Sequence, residues 1–417
     1  MKYNWKIYTL DQVCERIYSG GTPSTKHSEY WNGDLKWLSS GETSQRFIYD
    51  TERKITQEGV NHSTTKLATK GCTVIATAGQ GFTRGQASFL MTDTYMNQSV
   101  IACKANEDFV LPLFLYYNLD SRYEEFRLLS DGTSTRGGLS GWILKRMEIN
   151  LPPIEEQKRI SALLRVIDER IELNTAINDN LEQQAQAIFQ SWFIDFEPFG
   201  YSMPADWETA TLDTIADFQN GYAFKSKELL NEPAKDTYQV FKQGHINRGG
   251  GFLPDGTKSW YPKSSATNLN KFVLKKGDIL MAMTDMKDNV AILGNTAIMP
   301  LDDEFIVNQR VGHLRANGYK GITYPYIYLL TNSKDFLTDL RSRANSGVQV
   351  NLSSTAIKSS KTVIATEDIN VRFSAIVMPM FEQIIQNQLE NQRLSILRDT
   401  LLPKLMSGEL DVSNIDL

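Results

Sequence analysis

Several stretches of this chain carry residue types that could do chemistry. Pro254-Asp255 followed by Asp285-Met286-Lys287 has the make-up of a nuclease metal site. Two carboxylates there could hold Mg2+, and the lysine could orient a water. The first half of the chain has no counterpart, and so short a pattern arises easily by chance. Gly251-Phe252-Leu253-Pro254-Asp255-Gly256-Thr257-Lys258 approaches a phosphate-binding loop, but its lysine is displaced by one residue, and it reads as a turn between strands. Gly79-Gln80-Gly81-Phe82 lacks the following glycine and helix of a dinucleotide site. Asn150 is followed by Leu151-Pro152-Pro153-Ile154, not by the Pro-Pro-aromatic run of amino-methyltransferases, and the chain has no GxSxG elbow. Cys14, Cys72 and Cys103 are scattered, as are His27, His62, His245 and His313. That spacing argues against a disulfide framework and against a zinc or histidine metal site. Catalysis and resident cofactors are therefore not expected of this chain.

Two groups of polar residues suit recognition better. The first is Lys36, Ser39, Ser40, Ser44, Gln45, Thr83, Arg84, Gln86, Ser134 and Arg136; the second is Lys242, Gln243, Asn247, Arg248, Lys287, Arg310, Gln349 and Asn351. Arginine matches guanine O6 and N7, glutamine and asparagine match adenine N6 and N7, and lysine or serine can hold phosphate. Taken singly, each reads equally as a solvated loop residue. They gain weight as a group because the chain repeats itself around them. Trp5 to Asp11 (WKIYTLD) returns at Trp207 to Asp213 (WETATLD), KGCTVIATAG around Gly71 returns as KGDILMAMTD around Gly277, and Asn97-Gln98 returns as Asn308-Gln309. The offsets grow from 202 to 206 to 211 residues, as loop insertions in a duplicated domain produce. The period is too long for a solenoid.

The elements that must position these residues follow from pattern. Short apolar runs such as Thr73-Val74-Ile75-Ala76 and Asp278-Ile279-Leu280-Met281 predict buried strands. Leu113 to Leu128 and Tyr326 to Arg341 each predict a single helix. From Pro153 no glycine or proline occurs until Pro198, and Ile160, Leu164, Ile167, Ile171, Asn174, Asn178, Leu181, Ala185, Ile188 and Trp192 keep 4-3 spacing. That is a coiled-coil seam about 48 Å long, with two polar positions that fix register. A second helix is expected to start near Pro379 and to run through Phe381, Ile385, Leu389, Ile396 and Leu401 before Pro403, with Gln388, Asn391 and Gln392 at its middle. The two helices should pair antiparallel, polar centre against polar centre.

The predicted fold class is thus mixed α/β (α+β): two similar domains, 1–153 and 198–372, separated by two long helices, 154–197 and 373–417, forming an antiparallel coiled coil. The net charge of −5 lies in the helices. Residues 155–197 carry nine acidic and four basic side chains, whereas 1–154 and 198–372 are slightly basic. Acidic helices suit a protein partner and the basic domains suit nucleic acid. The longest apolar stretch, Phe109 to Leu119, contains Pro112 and is too short for a bilayer, and no signal peptide opens the chain. A cytoplasmic protein with no membrane partner is expected.

Three motifs resemble one family. Pro152-Pro153-Ile154-Glu155-Glu156-Gln157-Lys158-Arg159-Ile160 is similar to the central region of type I restriction–modification specificity subunits, Ile188 to Phe196 to its end, and Leu401 to Leu410 to its C-terminal counterpart. The second copy departs from the pattern, its Pro-Pro-Glu-Glu-Gln being reduced to Met378-Pro379-Met380-Phe381-Glu382-Gln383. The resemblance implies a non-catalytic subunit. Each target-recognition domain would read one half of an asymmetric bipartite double-stranded DNA sequence. The helices would set the spacer and dock two modification (methyltransferase) subunits, and two restriction (helicase–nuclease) subunits would complete an ATP-dependent endonuclease. S-adenosylmethionine, ATP and Mg2+ would sit on those partners. On this reading Lys36, Ser39, Ser44, Gln45, Arg84, Gln86, Arg136, Lys242, Gln243, Asn247, Arg248, Lys287, Arg310 and Gln349 contact DNA. Phe189, Trp192, Phe193, Leu401, Leu402 and Leu405 are docking anchors. The other readings are an enzyme that cleaves or methylates DNA alone and a coiled-coil scaffold without DNA readout.

Overall fold

The computed structural model describes residues 5–79, 81–131, 138–286, 290–345 and 349–412. The chain is mixed α and β and divides into two compact units, Met1–Arg170 with Leu394–Leu417, and Ile171–Arg393. The division falls inside both long helices, Ile154–Phe189 and Glu367–Met406, so each unit holds part of both.

In the first unit Lys6–Thr9 pairs antiparallel with Glu148–Leu151. A five-stranded sheet runs in the order Cys14–Ser19, Val100–Ala105, Thr73–Ala76, Ala87–Leu90, Phe47–Ile48. A four-stranded sheet runs Arg53–Ile55, Trp31–Leu38, Thr94–Met96, Lys66–Ala68. All four residues of Thr73–Ala76 are buried, which is why the run is unbroken rather than alternating. Its core joins Leu10, Ile75, Phe114 and Leu144 to Ile160, Leu164, Leu402 and Leu405 of the long helices.

The second unit repeats the scheme. Glu208–Thr211 pairs with Lys361–Ile364, and a four-stranded sheet runs Ala216–Asn220, Val311–Ala316, Ile279–Ala282, Thr296–Ile298. The parallel pair Trp31–Leu38 with Thr94–Met96 has its equivalent in Thr237–Phe241 with Phe305–Val307. Each expected single helix is two. Pro112–Asp120 and Tyr123–Asp131 meet at Ser121, whose hydroxyl donates to the Asn118 carbonyl. Tyr324–Asn332 and Lys334–Ser342 meet at Ser333, which is extended and donates to Leu330 O. A serine that bonds its own preceding turn competes with helix continuation.

The second long helix begins at Glu367, twelve residues before Pro379, and passes through both Pro379 and Pro403. Each proline withdraws one backbone donor. Burial of Phe373, Val377, Phe381 and Ile385 beside the first, and of Leu402 and Leu405 beside the second, outweighs that loss. The true counterpart of the first helix entry is Ile364 to Phe373. Gln157 donates to Phe109 O and Pro152 O and accepts from Leu111 N; Asn370 donates to Lys320 O and Ala365 O. Met378 to Gln383 is helix interior, and Ile396, expected on the apolar face, is 62% exposed.

Within each unit the two helices run antiparallel. In the second, Asn174 Nδ2 donates to Asn391 Oδ1 and Glu390 Oε2, both at 2.9 Å, and Asn387 Nδ2 donates to Asn178 Oδ1 at 2.8 Å. The polar residues of the second helix that bond the first here are therefore Asn387, Glu390 and the expected Asn391, rather than Gln388 and Gln392. In the first unit Arg398 Nη1 donates to Asp168 Oδ1 at 3.0 Å. Asp168 also accepts from Tyr117 Oη at 2.7 Å and lies 3.3 Å from Arg46 Nε, while Arg46 Nη1 reaches Asp120 at 2.9 Å. Burial pushes the Asp120 carboxyl above its ordinary range despite Arg46 beside it.

Candidate nucleic-acid interface

In the first unit Ser39 opens a 3-10 turn, Ser40–Ser44, and its amide and hydroxyl both donate to the buried Glu42 carboxylate. Glu42 also accepts from Glu52 N, so this carboxylate fixes the turn that presents exposed Ser44 and Gln45. Phe47 pairs in parallel with Phe89, and Ser88 Oγ donates to Thr43 O. This register sets Ser44 and Gln45 alongside Gln86 and Ala87. Arg84 lies in the same connection, between Gly81 and Gly85, which have φ of 65° and 92°. Side chains tolerate that region poorly, so the two glycines allow the loop its tight return. Ser44, Gln45, Arg84 and Gln86 thus border one strand, Ala87–Leu90, while the Ser39 amide and hydroxyl are spent on Glu42 at the start of the turn. Lys36 does not join them: its ammonium donates to Tyr49 O and Thr92 Oγ1 and pairs with Asp50, so it ties the fold together. Arg136 lies outside the described residues.

In the second unit Gln243 accepts from Thr284 Oγ1 at 2.7 Å and its amide donates to Thr284 O. Thr284–Met286 pairs antiparallel with Gln349–Asn351, setting Met286 opposite Gln349. Met283 N donates to Arg310 O at the base of this ribbon, and the Arg310 side chain is exposed. Gln243, Arg310 and Gln349 therefore surround one two-stranded ribbon. Lys287 lies outside the described residues. Asn247 and exposed Arg248 belong to a separate turn closed by Asn247 N to Gly251 O.

Pattern reading missed His245, which is fully buried two residues beyond Gln243. Its Nδ1 accepts from Lys242 N at 3.1 Å, its Nε2 is 3.1 Å from the Gln239 amide, and burial lowers its pKa to about 4. A neutral imidazole thus holds the 3-10 turn Gln243–His245 that carries Gln243. No spacing could have revealed this, because a lone histidine has no periodic signature.

Asp285 does not stand ready for a metal. Its carboxylate accepts from Met286 N, Ile292 N and Leu293 N at 2.7 to 3.2 Å, closing the loop. Among the described residues no group of three His, Cys, Asp or Glu is placed to hold a metal ion. The docking anchors also need correction. Phe189 and Phe193 are 3% and 2% exposed, with Phe193 packed against Tyr326, Phe373 and Trp207. Leu402 and Leu405 are equally buried, in the core of the first unit, while Trp192 and Leu401 are half-buried. Aromatic and apolar side chains at a domain's own core are not free for a partner.

A profile described as "Type I restriction modification DNA specificity domain" matches residues 2–183 and again 204–392. The chain belongs to that family. The two matches each take in one β-rich domain and most of the helix after it. The type I restriction enzyme MjaIX specificity subunit of Methanocaldococcus jannaschii is 26% identical over 99% of this chain and 95% of its own length. The HindI specificity subunit of Haemophilus influenzae is 24% identical over 78% of this chain and 84% of its own. A solved type I restriction–modification S subunit from M. genitalium shares the fold, with a TM-score of 0.60 at 19% identity over 97% of this chain and 96% of that one. Specificity subunits of this family supply DNA recognition within a larger complex, and the enzymatic activities lie on its other subunits.

Proposed function

We propose that the two domains each read one half of an asymmetric, bipartite duplex target. The first domain, 1–153, reads through Ser39, Ser44, Gln45, Arg84, Gln86 and Arg136. The second, 198–372, reads through Gln243, Arg310, Gln349 and Lys287. Asn247, Arg248 and Lys242 hold phosphate, and Lys36 acts as a scaffold residue. The observation that carries this reading is the duplication itself: one fold occurs twice, and the polar side chains gathered on the two copies differ. Two copies with different contact residues suit two different half-sites, not a palindrome.

The helical segments, 154–197 and 373–417, set the spacer and seat two modification subunits, which carry S-adenosylmethionine and methylate adenine. Their excess of acidic side chains favours protein over DNA. Restriction subunits add ATP and Mg2+ for cleavage. The complex works in the cytoplasm; no helix among the described residues is long and apolar enough to cross a membrane. Methylation mapping of host DNA with and without this chain tests the reading. A two-part adenine motif that disappears with the chain is expected. A palindromic or uninterrupted motif, or no change, overturns it.

A further inference from the structure

The middle of the helix pair in the second unit is polar where a coiled coil is ordinarily apolar. Asn174 is fully buried and Asn387 is 3% exposed. Four asparagines meet in two tiers: Asn174 with Asn391, and Asn178 with Asn387. Three further bonds fasten the tiers to backbone and to a charge, Asn178 Nδ2 to Ile384 O, Asn391 Nδ2 to Ile171 O and Asn174 Nδ2 to Glu390 Oε2. Asn174 Oδ1 has no hydrogen-bond partner among the described residues. A buried acceptor left unmet is costly, so this arrangement is poor as a device for stability. Leucine or isoleucine at the same places would pack better.

What the asparagines do supply is discrimination between registers. Sliding the second helix by one heptad would bring apolar residues such as Ile384 opposite Asn174 and leave amides in both tiers without acceptors. Apolar seams tolerate such slippage; a buried asparagine pair does not. We propose that Asn174, Asn178, Asn387 and Asn391 form a register lock that restricts this protein to a single spacer length between its two half-sites. The inference rests on the bipartite reading above and deepens it: the helices supply the length, and the asparagine tiers supply its exactness. A ruler that could slip would accept half-sites at several separations.

The test uses the chain assembled with its modification subunits and a library of duplexes carrying both half-sites at graded spacers. The fourfold variant N174L/N178L/N387L/N391L is expected to melt at a higher temperature. One heptad is about 10 Å of helix, or about three base pairs, so the variant should also methylate spacers about three base pairs shorter and longer at no less than a tenth of the rate on the native spacer, where the native complex discriminates at least a hundredfold. Should that variant fail to assemble, N178L/N387L, which removes one tier, is expected to lie between the two. Native discrimination retained by an active variant overturns the proposal, because a merely structural role would change melting alone. If the native complex shows no spacer dependence at all, the bipartite reading fails instead.

Discussion

Removing the carboxylate of Asp168 should unfold the first unit at a markedly lower temperature. Asp168 is 2% exposed and accepts from Arg398 at 3.0 Å and Tyr117 at 2.7 Å, with Arg46 at 3.3 Å. Asp168→Ala leaves a buried phenol and two guanidinium groups without that acceptor. Hydrogen bonds to a charged group are worth about 1.5–3 kcal/mol each, and breaking a buried ion pair from one side costs about 3–5 kcal/mol. Arg46 keeps Asp120 and Arg398 keeps the exposed Asp399, which argues for a total of about 3–5 kcal/mol rather than the full sum. For a unit of roughly 190 residues, about 2–4 °C accompanies each kcal/mol, so calorimetry should record a fall of roughly 6–20 °C. Asp168→Asn keeps the shape and one acceptor and should fall less. In a double-mutant cycle with Arg398→Met, the pair should couple by about 1–3 kcal/mol. A fall of less than about 2 °C for Asp168→Ala, or strict additivity in the cycle, would refute the claim that this network ties the helices to the domain.

Further outcomes follow from the same geometry. His245 has a folded pKa lowered to about 4 by burial, against about 6.5 unfolded, so stability is fully present above pH 6.5 and declines as pH falls toward 4. The loss is about 3 kcal/mol, and urea titrations of the native chain and of His245→Gln should differ by it. Phe193→Ala should cost about 3–5 kcal/mol of stability, with modification-subunit binding falling only as far as folding does. Arg248→Ala should weaken binding to all duplexes alike and reduce the salt slope by about one, as read in titrations at graded ionic strength. Arg310→Ala should instead relax the sequence preference at one position of the second half-site, at about 1–3 kcal/mol, seen by methylation of a randomised half-site.

The parts of this molecule legible in its sequence are those governed by period and by repetition. The 4-3 spacing from Ile160 reported a long helix because one buried face repeats along it, and Asn174 and Asn178 stood out as polar intrusions in that face. Pro379 reads as a local breaker in the sequence, whereas the apolar residues Phe373, Val377 and Phe381 hold the helix through it. The split at Ser333 was hidden for the opposite reason, since its cause is one hydroxyl bonding one carbonyl. Site residues were the least legible. Lys36 and Arg310 look alike in sequence, yet one is spent on Tyr49 O and Asp50 and the other is exposed. Only tertiary partners separate a scaffold cation from a reading one.

The two long helices also revise what the repeated unit is. The first contributes Ile160 and Leu164 to the core of the first unit and Ala185 and Phe189 to that of the second. The second contributes Phe373, Val377 and Phe381 to the second core and Leu402 and Leu405 to the first. Each helix therefore begins on the domain that precedes it and finishes in the core of the other. Gln157 and Asn370 perform the same anchoring act at the two beginnings, so the helix entry is part of what the two copies share. A helix that merely linked two independent domains would need no buried aromatic residues at its far end. Because Phe189 and Leu405 are core residues, neither domain is complete without the helix launched from the other, and deleting one domain with its helix should destabilise the one that remains.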